Sequence, residues 1–163
     1  MITPFPGEKE EWSLVATYKT KQELHDLCRA RGSNIIRALS KQYKHDPSII
    51  GFLYCHKGIL SSYIGTTNEE GLHDRQISHL KGKGKRKRID RLLAANGSID
   101  FWVATLRYPM DYYERIDIEK HYIGRYYDEY NLINERVLKV PDYIKAVRDP
   151  SYIPPVTLEG FLF

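Results

Sequence analysis

The sequence predicts an α+β fold, a small sheet flanked by helices. Three observations predict it. Two apolar, aromatic-rich runs, Ile49–His56 and Ser62–Thr66, are joined by a short Gly-containing segment and read as a hairpin. A third run, Ile99-Asp-Phe-Trp-Val-Ala-Thr-Leu106, is rich in β-branched and aromatic residues and reads as a further strand. Around these lie segments whose apolar residues recur at spacings of three and four, the helical period. Helix, helix, strand, strand, helix, helix, strand, helix and tail is therefore the expected order, and it suits a layered α+β sandwich.

Residues 1 to 18 carry Pro4, Pro6 and Gly7 and read as an irregular arm. Residues 19 to 44 read as a helical pair. Thr20 is a candidate N-cap for the first helix, with Leu24, Leu27 and Cys28 as its stripe. Ser33 opens the second, with Ile35, Ile36 and Leu39 on one side. A helix-turn-helix and a plain helical hairpin packed on the core both fit this spacing, and the hairpin is the more general solution. In the strand pair, a two-residue turn at Gly58-Ile59 sets Tyr54 directly across from Tyr63, side chains on one face, whereas a longer loop would change that register. Gly71–Leu80 reads as a helix carrying Leu72, Arg75 and His79 on one side. Arg88–Ala95 reads as another, stopped by Asn96-Gly97. A last helix starts at Asp111, with Glu114 placed as in a capping box, and runs to about Asp128. From residue 137 onward, Pro141, Pro150, Pro154 and Pro155 suggest an extended C-terminal tail. The expected organisation is an N-terminal arm and helical pair over 1–48, a core over 49–136 and a tail over 137–163.

The chain has 163 residues, long enough to bury a core without disulfides. It is 42% hydrophobic and 28% charged, values of a folded protein rather than a disordered one. Its two cysteines make no disulfide framework or zinc cluster and suit a reducing compartment. No signal sequence or membrane-length apolar run is visible, so a cytoplasmic protein with no membrane partner is expected. The net charge of +4 is concentrated. Residues 81 to 91, Lys-Gly-Lys-Gly-Lys-Arg-Lys-Arg-Ile-Asp-Arg, hold seven of the 25 basic and one of the 21 acidic residues, leaving a net charge of −2 elsewhere. By itself such a run is most simply a solvated loop. Beside the residues below, Lys81, Lys83, Lys85, Arg86, Lys87, Arg88 and Arg91 become candidate contacts to a nucleic-acid backbone.

Glu119 converts the fold into a candidate site. It lies within the stripe Tyr112, Ile116, Ile123 and Tyr126 of its helix, where a carboxylate is costly unless paired or bound to a cation. A buried salt bridge to Arg75 or Arg115 would satisfy it. So would a hard divalent cation, which takes one or two carboxylates together with water and phosphate oxygens. Arg75 offers the planar fork that suits a phosphate, and His79 a group that moves protons near neutral pH. With Tyr54 and Tyr63, these are the parts a phosphodiester hydrolase requires.

Phe52-Leu53-Tyr54, then Tyr63-Ile64-Gly65-Thr66, then Leu72-x-x-Arg75-x-x-x-His79, Glu119 and a downstream Asn resemble the GIY-YIG nuclease family over roughly residues 50 to 134. The resemblance implies a three-stranded antiparallel sheet flanked by helices and cleavage of DNA with one Mg²⁺ (or Mn²⁺) per active site. By position, it implies that Tyr54 and Tyr63 orient or activate the attacking water and contact the scissile phosphate. Arg75 would stabilise the pentavalent phosphate, His79 assist proton transfer and Glu119 bind the metal. Asn134, or else Asn131, would brace the site. There are departures. Phe52 fills the first motif's Gly position, with Gly51 one residue earlier, Thr66 stands where many members carry Lys, and the segment from Gly65 to Arg75 is slightly long. The expectation is a compact DNA endonuclease, either a type II restriction enzyme acting as a homodimer or a phage or mobile-element nuclease of low specificity. A non-catalytic nucleic-acid-binding protein on the same scaffold, and cleavage of RNA, are the alternatives.

Overall fold

The computed structural model describes residues 3–28, 47–68, 72–82, 87–109 and 112–134. Their fold is α+β, with one antiparallel sheet and four helices. In chain order the elements are β1 (Trp12–Tyr18), α1 (Lys21–Cys28), β2 (Ile49–Lys57), β3 (Ser62–Asn68), α2 (Leu72–Lys81), α3 (Arg88–Asn96), β4 (Ile99–Arg107) and α4 (Tyr112–Tyr126). The sheet has four strands in the order β1-β4-β2-β3. This corrects the three-stranded expectation and the reading of residues 1–18 as an irregular arm, because Trp12–Tyr18 pairs along β4 as an edge strand. Its pattern escapes a period-2 search for a physical reason. A register shift between Leu14 and Ala16 breaks the alternation, so Trp12, Val15 and Tyr18 are buried while Ser13 and Leu14 are exposed.

Of the helical pair expected before the core, only the first helix falls within the described residues. Among the described residues α1 is the only helix that precedes β2. It starts as its sequence implies, since Thr20 Oγ1 accepts the Glu23 N–H at 3.0 Å and the Glu23 carboxylate accepts the Lys19 N–H at 3.0 Å. Leu24 and Cys28 are its buried stripe. The second predicted helix, the Asp111 cap and the tail over 137–163 lie outside the described residues. No described helix is long and apolar enough to cross a membrane.

Both faces of the sheet are covered. Phe52, Tyr54, Tyr63, Phe101 and Val103 pack with Leu24, Leu72, Ile89 and Leu92 from α1, α2 and α3. Leu53, Cys55, Ile64, Trp102 and Leu106 point the other way, against Tyr122, Ile123 and Tyr126 of α4 and Phe5 of the N-terminal arm. The hairpin register differs from the two-residue-turn expectation. Lys57 pairs with Ser62, so the loop is Gly58–Ser61, closed by the Gly58 N–H to Ser61 carbonyl bond at 3.0 Å. Tyr54 therefore faces Gly65, and Tyr63 faces His56. A slip of two positions, unlike a slip of one, leaves both tyrosines on the same face.

Candidate active site

The hairpin register accounts for the glycine of Tyr63-Ile64-Gly65. Tyr54 is fully buried in β2, and its ring lies over Gly65. A Cβ on Gly65 would collide with both Cζ and Oη of Tyr54, so any side chain there would displace the phenol. The Tyr63 ring is the diagonal neighbour, 6.3 Å away between centroids.

From α2, Leu72, Gln76 and His79 are buried, and Arg75 projects to the exposed side of the same surface. His79 Nε2 lies 2.7 Å from Tyr54 Oη, and its ring centroid 5.1 Å from that of Tyr63. The Arg75 guanidinium is close enough to both tyrosine hydroxyls for each to favour its charge. Arg88, the first residue of α3, places Nη1 3.3 Å from His79 Nδ1 and its guanidinium carbon 5.1 Å from the centre of the Tyr63 ring. The sequence marks it only as part of the basic run.

Burial dominates the electrostatics. It pushes the Tyr54 hydroxyl well above the ordinary phenol range. Tyr63 and Glu119 add to that rise, while the charge and hydrogen bond of Arg75 oppose it. Burial also raises Tyr63, against Arg88 and Arg75, which lower it, and with Glu119, which raises it further. Both phenols are thus neutral. Burial, followed by His56, Arg75 and Arg88, drives His79 down to about 2, so its imidazole is neutral as well.

Glu119 lies on the buried side of α4, as its place in the stripe implies. The buried band is wider than the stripe and includes Arg115, Lys120 and Tyr122. Its carboxylate is close enough to raise both tyrosine hydroxyls. Arg115 Nη1 donates to Thr66 Oγ1 at 3.4 Å. Among the described residues no three His, Cys, Asp or Glu side chains converge as a metal cage. A carboxylate whose charge acts on two phenol hydroxyls does fit a Mg²⁺-type ion, whose remaining ligands would be water and phosphate oxygens.

Geometry separates the two asparagines. Asn134 is buried beside β3. Its Nδ2 donates to the Ile64 carbonyl at 2.7 Å, and its Oδ1 accepts the Ile64 N–H at 3.3 Å. It thereby holds the strand between Tyr63 and Gly65. Asn131 is exposed, at φ 50°, and donates to the Leu60 carbonyl in the hairpin loop. Of the basic run, Lys81, Lys87 and Arg91 are exposed, whereas Lys83, Lys85 and Arg86 lie outside the described residues.

Sequence reasoning misses His56. It is fully buried, stacked on Phe101 at 4.6 Å, with Nδ1 2.9 Å from Tyr18 Oη and Nε2 2.7 Å from Gln76 Oε1. Because the Gln76 oxygen only accepts, Nε2 carries the proton and Nδ1 accepts from Tyr18. Burial lowers this histidine to about 4, against the Gln76 hydrogen bond, which raises it. Strand parity is the signal that could have found it, since His56 is two residues beyond Tyr54. Asn96, a helix stop in the sequence, has a second role. Its Oδ1 accepts from Leu60 N at 2.7 Å and Ser61 N at 3.0 Å, and its Nδ2 donates to Ser61 Oγ and the Leu92 carbonyl, which ties the hairpin loop to α3.

Comparison of the chain with protein-family models, with curated proteins and with solved structures finds no match.

Proposed function

We propose that this chain is a divalent-cation-dependent DNA endonuclease that hydrolyses phosphodiester bonds, of the GIY-YIG kind that its motifs resemble. One observation carries the reading. Tyr54, Tyr63, Arg75, His79 and Glu119, drawn from β2, β3, α2 and α4, interact at a single locus. A structural core has no need to gather a guanidinium, a carboxylate, an imidazole and two phenols around one strand pair, since each carries a desolvation cost.

In this reading Arg75, exposed at the rim, forms paired hydrogen bonds to the scissile phosphate and offsets the charge that builds on it. The neutral hydroxyls of Tyr54 and Tyr63 orient the attacking water and a phosphate oxygen. His79 holds Tyr54 in place through its 2.7 Å contact. Glu119 holds Mg²⁺ or Mn²⁺, and the ion, when bound, supplies Lewis-acid neutralisation of phosphate charge. Asn134 keeps β3 in register beneath the two tyrosines. Lys81, Lys87 and Arg91 lie exposed where they can follow a nucleic-acid backbone.

Supercoiled plasmid incubated with the purified protein and Mg²⁺ or Mn²⁺, beside an EDTA control, tests the proposal. Nicked or linear product that depends on the cation is expected, and the ratio of the two reports how many strands are cut. DNA binding with no cleavage under either ion overturns the enzymatic reading in favour of a binding protein.

A further inference from the structure

Arg88 belongs to the densest stretch of positive charge in the chain, yet it turns inward onto His79. Arginine has no acceptor atom and does not deprotonate in proteins. The 3.3 Å contact from Arg88 Nη1 therefore requires His79 Nδ1 to accept. In a neutral imidazole the other nitrogen then carries the proton, so Nε2–H donates to Tyr54 Oη across 2.7 Å. The positive charge of Arg75 also acts on that oxygen. A phenol oxygen has two lone pairs, and the His79 donor occupies one of them while the Arg75 cation stands nearby. The O–H proton of Tyr54 must point away from His79 and Arg75, toward whatever occupies the site.

We infer that Arg88 is a positioning residue: by capping His79 Nδ1 it fixes the Nε2–H tautomer and thereby aims the Tyr54 O–H at the substrate. This rests on the nuclease reading for what the substrate is, but not for the tautomer. The opposite tautomer would reverse the pair. Tyr54 would donate to His79 and present only a lone pair. The Tyr63 ring, with the Arg88 guanidinium over it at 5.1 Å, keeps the cation in place.

The test begins with the wild-type protein free of DNA. Nitrogen-15 shifts of the His79 ring should show a protonated, pyrrole-type Nε2 and an unprotonated, pyridine-type Nδ1. Arg88→Met should abolish that pattern, and Arg88→Lys, which restores a donor, should recover it in part. In single-turnover cleavage of a labelled duplex, Arg88→Met should lower the rate roughly 10-fold or more while changing the Kd for DNA far less. A protonated Nδ1 in the wild type overturns the inference without any variant. So does an Arg88→Met protein that keeps the wild-type tautomer, or one that loses affinity at an unchanged cleavage rate, as a plain phosphate contact would. If the wild type shows the expected tautomer but never cuts DNA, the nuclease reading fails and the orientation of the His79–Tyr54 pair by Arg88 stands.

Discussion

The two faces of the sheet use the same side chain in opposite ways. On the face covered by α1, α2 and α3, the phenols of Tyr54 and Tyr63 meet the Arg75 guanidinium and the His79 imidazole. On the face covered by α4, the phenols meet carboxylates. Tyr122 donates to Glu10 at 2.5 Å, and Tyr126 donates to Glu8 at 2.9 Å. These two hydroxyls are also raised, first by burial and then by the glutamates. Their protons are spent inside the protein. Phe5, Trp12, Tyr122, Tyr126 and Tyr130 stack edge-on or tilted around them, 4.6 to 5.7 Å apart between ring centres in the pairs that Phe5 and Trp12 make. The α4 face thus fastens the N-terminal arm. On the other face Tyr18 gives its proton to His56, whereas Tyr54 and Tyr63 meet a cation and an imidazole instead of carboxylates, and in the orientation inferred above the proton of Tyr54 is left to give. Tyrosine alone therefore says little about chemistry, and the charge of its partner says much.

Substitution of Glu119 should make the largest difference. Glu119→Gln keeps the shape and removes the charge. Cleavage should fall to the level of the EDTA control while gel shifts still report DNA binding through Arg75 and the exposed lysines. A variant that melts much earlier, by about 3 kcal/mol or more, and whose folded fraction still cuts normally would show that Glu119 is half of a buried ion pair and no metal ligand.

Next comes a matched pair of hydroxyl deletions, one on each face. Tyr54→Phe should keep the fold and reduce cleavage on the order of 10²-fold. Tyr126→Phe should leave cleavage untouched and cost roughly 1–3 kcal/mol of stability, the worth of a hydrogen bond to a charged group. If the two exchange these outcomes, the contrast between the faces is wrong.

Acid should attack the first face before the second. His56 is lowered from the ordinary 6.5 to about 4, and His79 further, both chiefly by burial. Between those values the unfolded chain binds protons that the folded one does not. Their stabilising effect is therefore complete above about pH 6.5 and is lost as pH falls from there toward 4, by about 3 kcal/mol for His56 alone. Urea midpoints measured from pH 8 to 4.5 should decline through that window. A flat profile would mean that the imidazoles are not buried as neutral groups.

The smallest effect concerns the rim. Lys81→Gln with Lys87→Gln should weaken binding evenly across DNA sequences. It should also flatten log Kd against log salt by about 0.9 for each phosphate the protein no longer neutralises. An unchanged slope returns the run to solvent.

The parts of this arrangement that could be read in the sequence are those carried by local pattern. The bounds of β2, β4, α2 and α3 follow from composition, period and Gly97, whose φ of 73° ends α3. Glu119 is legible because one charge interrupts an apolar stripe. Strand β1 is not, because a bulge erases its alternation, and the hairpin register is not, because nothing local separates a two-residue from a four-residue loop. Arg88, His56 and Gln76 escape notice because their meaning lies in contacts between elements. In a string of lysines and arginines, the one that turns inward carries no mark.

The asparagine beneath β3 has a consequence for how copies of this chain can meet. β3 is an edge of the sheet, and an edge strand offers unpaired amides and carbonyls to any other strand. Here the chain's own return past α4 takes several of them. Ile133 N–H bonds the Ser62 carbonyl at 2.9 Å, Ser62 and Leu132 form a parallel bridge, and Asn134 occupies both backbone groups of Ile64. A foreign strand would have to displace that clasp before it could extend the sheet at β3. The strand that carries Tyr63 is thereby shielded from templated self-association.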